Sequence, residues 1–346
     1  MKIYELPQVI FGIIQEYTHV NNLFNTTKQF ADVKKETYYW KLTRKCSIRY
    51  YLRQEFREYV ISKIHNPKKQ LYLNLSSCNR ITDVSMLGNV HTLILSYCKI
   101  LQDVSALGNV HELHLSGCKN ITDVSALGNV HTLKLSYCDG IIDVSALGNV
   151  HTLSLDGNKN ITDVSALGNV HTLEMTFTDI TDVSALWKLH KLNIACCKKV
   201  KDVSALGNIH TLNLCNCANV TDVSALGNVR CLNLFGCHKI TDVSMLGNVH
   251  TLNLAGCKSY RDVSMLGNVH ALDLHDCQKL TDVSALGNVH TLILSYCKGI
   301  TDVSALGNVH ALFLEDCINI TDVSALGNVH KLDLNGCHKI TDISAL

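Results

Sequence analysis

From residue 71 to Leu346 the apolar positions fall in one order that keeps returning. Taken from Val90, a unit reads V-HT-L-I-L-SY-C-KI-L-QD-V-SA-L-GN, with apolar positions at Val90, Leu93, Leu95, Cys98, Leu101, Val104 and Leu107. Residues 92–95 alternate outward and inward, the pattern of a short half-buried strand. The rest has neither the length nor the 3.6-residue period of a helix. Asp103, ahead of Val-Ser-Ala-Leu, fits a capped single turn whose carboxylate accepts the amide hydrogen of Ser105 or Ala106. Gly108 and Asn109 supply the turn back to the next strand. Each unit therefore predicts one rung, with a strand on one side and a tight 3-10-like turn on the other.

Fourteen such units start near residues 71, 91, 111, 131, 151, 171, 190, 210, 230, 250, 270, 290, 310 and 330, and between successive starts only the sixth step, at 19 residues, falls short of 20. One rung cannot bury its own inner side chains, whereas stacked rungs can. Parallel neighbours lie roughly 4.8 Å apart, so the stack extends on the order of 65 Å. Each buried Leu or Val contributes roughly 1.5–3 kcal/mol against chain entropy. Removing one interior leucine should then cost ~2–5 kcal/mol. Monotony of this kind is scaffold.

The spacing L-x-L-x-x-C-x-x-I resembles the leucine-rich repeat family. Cysteine at the ninth position is similar to the cysteine-containing class of that family, and "ITDVSAL" resembles the "ITDIS-L" phrase of internalin-type repeats. The resemblance covers residues 71–346. It implies an α/β solenoid: a right-handed coil of about fourteen 20-residue rungs. A parallel concave sheet and a short convex side of 3-10 turns are expected, with a small all-α cap ahead of them.

Charge divides the chain in two. The net charge is +1, but residues 1–70 hold 13 Lys/Arg against 6 Asp/Glu, and residues 71–346 hold 18 against 24. No Lys/Arg run is dense enough to indicate nucleic acid, and no apolar window reaches the ~18 residues of a membrane span. Neither partner is expected. The start "MKIYELPQVIFGII" carries Glu5 and Pro7 within its apolar stretch and lacks a small-residue cleavage site, unlike a signal peptide. Sixteen cysteines without a secretion signal point to reduced thiols in a cytoplasmic setting.

Three repeated rows invite chemistry. Every full unit holds Asp, Ser and usually His, but a catalytic triad needs one unique geometry rather than fourteen equivalent turns, so no enzyme is expected. Twelve units place Cys at the inward ninth position, where Asn158 and Thr178 stand in twice. These residue types share a small side chain with a donor for loop carbonyls, which favours a structural ladder over disulfide, metal or cofactor. The third row is histidine, from His91 to His330, with Arg230 standing in once. Crowded imidazoles resist protonation, so their pKa values should fall below ~6.5 in the folded chain.

Choice of partner must come from the positions that vary. The middle outward column runs from Asn74, Ile94, His114 and Lys134 through Asn193, Asn213, Asn233 and Asn253 to Asp273, Ile293, Phe313 and Asp333. The asparagine run reads either as an outer amide ladder or as plain sheet stabilisation. Candidate partner-binding residues on the concave face are Tyr97, Tyr137, Phe177, Phe235, Asp273, His275, Asp276, Tyr296, Phe313, Glu315, Asp316 and Asp333. Acidic groups around exposed aromatics suit a basic protein segment; a solvated face is the other reading. The sixth unit trades Gly-Asn for Trp187-Lys188, which predicts a local kink with an exposed or repacked Trp187. The final "TDISAL" has no evident cap, leaving end-to-end self-association open.

Residues 1–70 do not repeat. "CSIRYYLRQEFREYVISKIHNP" places Ile48, Leu52, Phe56, Tyr59, Val60 and Ile64 at helical steps before Asn66-Pro67, predicting one amphipathic capping helix within residues 46–70. Upstream, residues 1–45 resemble an F-box. Leu6, Pro7, Ile10, Ile14 and Leu23 match its adaptor-binding pattern, Lys28 and Phe30 its basic-x-aromatic step, and Trp40 its closing tryptophan. That resemblance implies docking to the adaptor of a cullin–RING ubiquitin ligase, with residues 71–346 presenting a protein substrate. The pairing of such a head with near-identical repeats also resembles multicopy proteins of giant amoeba-infecting DNA viruses, which would place the chain in host cytoplasm. A scaffold with a helical cap and no ligase link is the alternative.

Overall fold

The computed structural model describes residues 40–64 and 66–346. Two compact units divide the chain, Met1–Gly140 and Ile141–Leu346. In the first, strand β1 (Trp40–Lys41) precedes helices α1 (Arg44–Leu52), α2 (Gln54–Lys63) and the single turn α3 (Pro67–Gln70). Strands β2 (Leu71–Asn74), β3 (Thr92–Ile94), β4 (Glu112–His114) and β5 (Thr132–Lys134) follow, and β1 to β5 pair in parallel and in sequence order. The second unit holds ten strands, from β6 (Thr152–Ser154) to β15 (Lys331–Asp333), paired the same way. From β2 onward a 3-10 turn at Ser-Ala-Leu or Ser-Met-Leu separates successive strands.

The register is set by equivalent leucines. Leu73 stands beside Leu93, Leu93 beside Leu113, and, in the second unit, Leu212 beside Leu232 and Leu232 beside Leu252. A one-residue slip would turn these side chains to water, so burial fixes the pairing. The inward Leu, Val, Ile and Cys columns are almost wholly shielded from solvent.

Each turn is built from one short hydrogen bond. The amide of Ser105 donates to Asp103 Oδ1 at 2.9 Å, and the same contact recurs at 2.8–2.9 Å from Ser85 to Ser344. Those bonds favour the charged carboxylate and hold Asp103 below the usual range, together with the Ser105 hydroxyl. The glycine that follows has ordinary right-handed helical angles, φ −62° at Gly108. Its value lies in close approach: a Cβ there would collide with the carbonyl oxygen of Ala126 on the next rung. Trp187 fills this slot with the same angles, φ −64° and ψ −18°. The missing residue of that unit is absorbed in the loop, because Thr172 still stands beside Lys191 and Leu173 beside Leu192. The expected kink is thus absent from the turn and the ladder, and Trp187 is 49% exposed with Lys188 Nζ 4.9 Å from its ring centre.

The cysteines at the ninth position stitch rung to rung. Cys98 Sγ donates to Leu75 O at 3.3 Å, Cys118 to Leu95 O at 3.2 Å and Cys317 to Leu294 O at 3.1 Å. Asn158 and Thr178 use their own donors on Leu155 O and Met175 O. All sixteen thiols are free.

The cap differs from its sequence expectation. The single helix breaks at Arg53, whose backbone is extended at φ −125°, ψ 114°. A break exposes the last carbonyls of α1, and Arg57 answers them by donating to Tyr50 O and Tyr51 O at 3.1 and 3.2 Å. The turn rotates Leu52 outward to 69% exposure, so the buried stripe is Ser47, Tyr50, Val60 and Ile64. Ser47 Oγ accepts the Asn74 amide at 3.0 Å and Arg44 donates to Ser76 O at 2.8 Å, which seats α1 on β2. The F-box-like positions Leu6, Pro7, Ile10, Ile14, Leu23, Lys28 and Phe30 lie outside the described residues; Trp40 is half-buried and pairs with Leu71.

Candidate partner-binding surface

Three outward columns meet at the end of each strand. The middle column is often Asn or Asp, and its side-chain oxygen accepts the amide two residues on: Asn213 from Cys215 at 3.0 Å, Asn233 from Phe235 at 2.9 Å, Asp273 from His275 at 3.0 Å. These Asx turns satisfy the backbone where the strand ends. The asparagine run is therefore a row of local Asx turns rather than a side-chain ladder, apart from Asn253 Nδ2, which reaches Asp273 Oδ2 at 3.1 Å.

The column just before the cysteine has a property that spacing does not reveal. Its backbone is left-handed throughout, with φ 63° at Tyr97, 77° at Gly117, 59° at Tyr137, 58° at Phe177, 56° at Asp276, 64° at Tyr296 and 55° at Asp316. Glycine accepts this at no cost and Asn or Asp readily, whereas bulky side chains there are strained by ~1–3 kcal/mol. Four aromatics nonetheless occupy it. Tyr97, Tyr137 and Phe177 are 55%, 52% and 55% exposed, so burial returns little of that strain.

In the first unit Tyr97 and Tyr137 flank Gly117, with His114 bonded to Glu112 at 2.8 Å on the neighbouring column and Lys134 exposed. In the second unit the acidic–aromatic residues divide. Asp273, His275, Asp276, Tyr296, Glu315 and Asp316 come together: the His275 and Tyr296 rings lie 5.0 Å apart, and Tyr296 donates to Glu315 Oε1 at 3.3 Å. The Tyr296 phenol is raised above its ordinary value by its hydrogen bond to Asp316 and by the neighbouring negative charges. Phe313 and Asp333 flank them in register on the adjacent strands. Phe177 and Phe235 stand on separate rungs away from this group. Gln278, absent from the sequence-based set, donates to Asp276 Oδ1 at 2.5 Å and Tyr296 O at 2.8 Å. Only the fold shows it, because residue 278 is otherwise one of many loop positions.

Tyr260 was also beyond the pattern. It takes an inward slot that usually holds Ile, Val or Leu, is 2% exposed, and puts its hydroxyl 3.2 Å from Leu254 O and 2.9 Å from Cys277 Sγ. Burial pushes its phenol far upward, and Cys277's own bond to Leu254 O stretches to 3.5 Å. Elsewhere burial pushes the Cys118 thiol up to about 12 and that of Cys138 to about 11.

The histidines line the edge where each strand begins. His111 and His131 stack with ring centres 4.6 Å apart, as do His190 and His210 and His270 and His290. One ring nitrogen meets the next residue's hydroxyl, as His210 Nδ1 meets Thr211 Oγ1 at 3.1 Å. Desolvation and the neighbouring rings lower His171 and His310 below their ordinary value; desolvation and His111 do the same to His91. Among the described residues no group of three or more His, Cys, Asp or Glu is arranged to hold a metal ion.

No family model matches the sequence, and no curated protein matches it. Solved structures do. An internalin, InlF, from Listeria monocytogenes is similar at 24% identity and TM-score 0.50, covering 77% of this chain and 80% of that one. The functional domain of InlJ from Listeria monocytogenes, which includes a cysteine ladder, is similar at 23% identity and TM-score 0.51, covering 75% of this chain and 60% of that one. TLR13 in its complex with ssRNA13 is similar at 17% identity and TM-score 0.54, covering 86% of this chain and 56% of that one. The fold is that of a leucine-rich repeat solenoid. No helix of the described residues is long and apolar enough to cross a membrane.

Proposed function

We propose that the chain is a non-catalytic protein–protein interaction module that holds a protein partner on the outward face of its strands. One observation carries this reading: inward positions barely change from rung to rung, while the side chains that differ face outward at the strand ends. The group around Tyr296 and Phe313 is the candidate contact for a basic segment, with Asp273, Asp276, Glu315, Asp316 and Asp333 supplying charge. Sixteen free thiols fit a reducing, cytoplasmic setting. The test is partner capture by the purified chain. Phe313→Ala with Glu315→Ala should abolish capture of a basic partner, and unchanged capture would reject that face.

In its finer form the reading makes residues 1–45 an F-box-like segment that docks a ubiquitin-ligase adaptor and delivers the captured protein as substrate. It rests on the resemblance of Leu6, Pro7, Ile10, Ile14 and Leu23. Adaptor binding lost in Leu6→Asp and Ile10→Asp supports it. A second reading, a capped scaffold without a ligase link, is favoured by Trp40 pairing with Leu71 and by Ser47 and Arg44 seating α1 on the first rung. No adaptor binding, or binding untouched by both substitutions, would favour the scaffold.

A further inference from the structure

Two cysteines of the second unit stand outside the inward row and beside each other. Cys196 and Cys215 follow strands β8 (Lys191–Asn193) and β9 (Thr211–Asn213), whose last residues Asn193 and Asn213 are in register. That register sets Cys196 opposite Asn216, one position past Cys215, and the Cys196 amide donates to Cys215 O at 2.7 Å. Rungs ~4.8 Å apart with one residue of stagger leave the two α-carbons roughly 5–6 Å apart. A disulfide spans about 4.4–6.8 Å between α-carbons.

Side-chain direction completes the pair. Cys196 has a left-handed backbone, φ 62°, and in that column side chains lean onto the following rung: Asn216 Oδ1 covers Gly236 and Asp316 Oδ1 covers Gly336. Cys196 therefore aims its thiol at the rung that carries Cys215. Asn216 Nδ2 donates to Cys215 Sγ at 3.4 Å on that rung. Burial raises the Cys215 thiol above its ordinary value, and Cys196 beside it raises it further. Both side chains are partly exposed. Cys197 and Cys217, close by in the chain, are buried and spend their thiols on Met175 O and Ile194 O at 3.1 and 3.2 Å.

We propose that Cys196 and Cys215 form a reversible thiol–disulfide site for small disulfides of the glutathione class, independent of which partner the outward face holds. The Cys196 thiolate attacks one sulfur of glutathione disulfide, forming a mixed disulfide and expelling one glutathione thiolate. Cys215, the thiol that burial disfavours as thiolate, attacks second: it displaces the other glutathione from Cys196 and forms the Cys196–Cys215 bond. Each released glutathione takes up one of the two thiol protons, so two electrons pass from the protein pair to one glutathione disulfide. Excess reduced glutathione runs both steps backward.

The test incubates the reduced full chain with glutathione disulfide, quenches with N-ethylmaleimide in denaturant and maps tryptic peptides by mass spectrometry. Peptides 192–198 and 202–230 should appear joined, with fragment ions placing the bond at Cys196 and Cys215 and the maleimide on Cys197 and Cys217. Two glutathiones should be released per joined chain, and dithiothreitol should restore both thiols. Cys215→Ser should stop at a chain carrying glutathione on Cys196, and Cys196→Ser should form no intrachain bond. Either reduced variant should melt within about 2 °C of the parent, which separates exchange from folding. Three results would overturn the proposal: no joined peptide in the parent chain under excess glutathione disulfide, a bond at Cys197, Cys217 or Cys231 in its place, or an intrachain bond from Cys196 that persists in Cys215→Ser.

Discussion

The thiol row and the imidazole row recur with the same period, and in the sequence they look equally insistent. The structure gives them opposite surroundings. Cys118, Cys217 and Cys297 have no exposure and donate to carbonyls of the preceding rung. Most of the histidines lie open to water and touch one another ring to ring. Burial makes the thiol a fixed, neutral hydrogen-bond donor. At His91, His171, His250 and His310 partial desolvation and crowding by neighbouring cations or rings make the imidazole a base reluctant to take its proton. Repetition therefore marks a position as structurally equivalent along the stack, while its depth decides what it can do.

The sharpest contrast is chemical. Under native conditions a thiol reagent should reach the partly exposed Cys46, Cys78, Cys196, Cys215 and Cys231 orders of magnitude sooner than the eleven buried cysteines. The thiols of Cys257 and Cys317, pushed up to about 12, have almost no thiolate to offer. Uniform labelling of all sixteen, followed by mass spectrometry, would break the comparison.

The imidazole row should answer pH instead. His91, His171, His250 and His310 are held below their ordinary value in the folded chain. The unfolded chain then binds more protons as pH falls through ~6.5, so stability is full above that value and declines below it. The melting temperature should drop on the order of a few degrees between about pH 7.5 and 5.5. An unchanged melt would show that stacking leaves protonation alone.

Single substitutions test the rows one rung at a time. Cys257→Ala removes a 3.2 Å bond to Leu234 O, an oxygen that keeps the Cys237 amide at 3.0 Å, and should cost about 1 kcal/mol in denaturant unfolding. His190→Ala at neutral pH should change stability by less than about 0.5 kcal/mol. If the histidine proves the costlier, the assignment of depth and role is reversed.

Much of the rung was legible beforehand. The Asp103–Ser105 bond follows from an acid two residues ahead of a short turn, and the thiol's role as donor follows from Asn158 and Thr178 sharing its slot. These contacts lie within a rung or between identical neighbours, so local spacing encodes them. The break at Arg53 was not legible, because it depends on Arg57 reaching back to the carbonyls of α1. Nor was the left-handed column, since Tyr97 and Gly117 differ in every property except backbone angle.

The sequence by itself determined the period, the inward columns and the turn chemistry, because one rung is solved locally and then copied. Only the tertiary structure decided which outward residues meet. Tyr296 reaches His275 and Glu315 on the rungs to either side, and Gln278 reaches the Tyr296 carbonyl. Such contacts depend on the lateral spacing of stacked backbones and on a positive φ that aims each side chain, and neither quantity is written in the order of the residues.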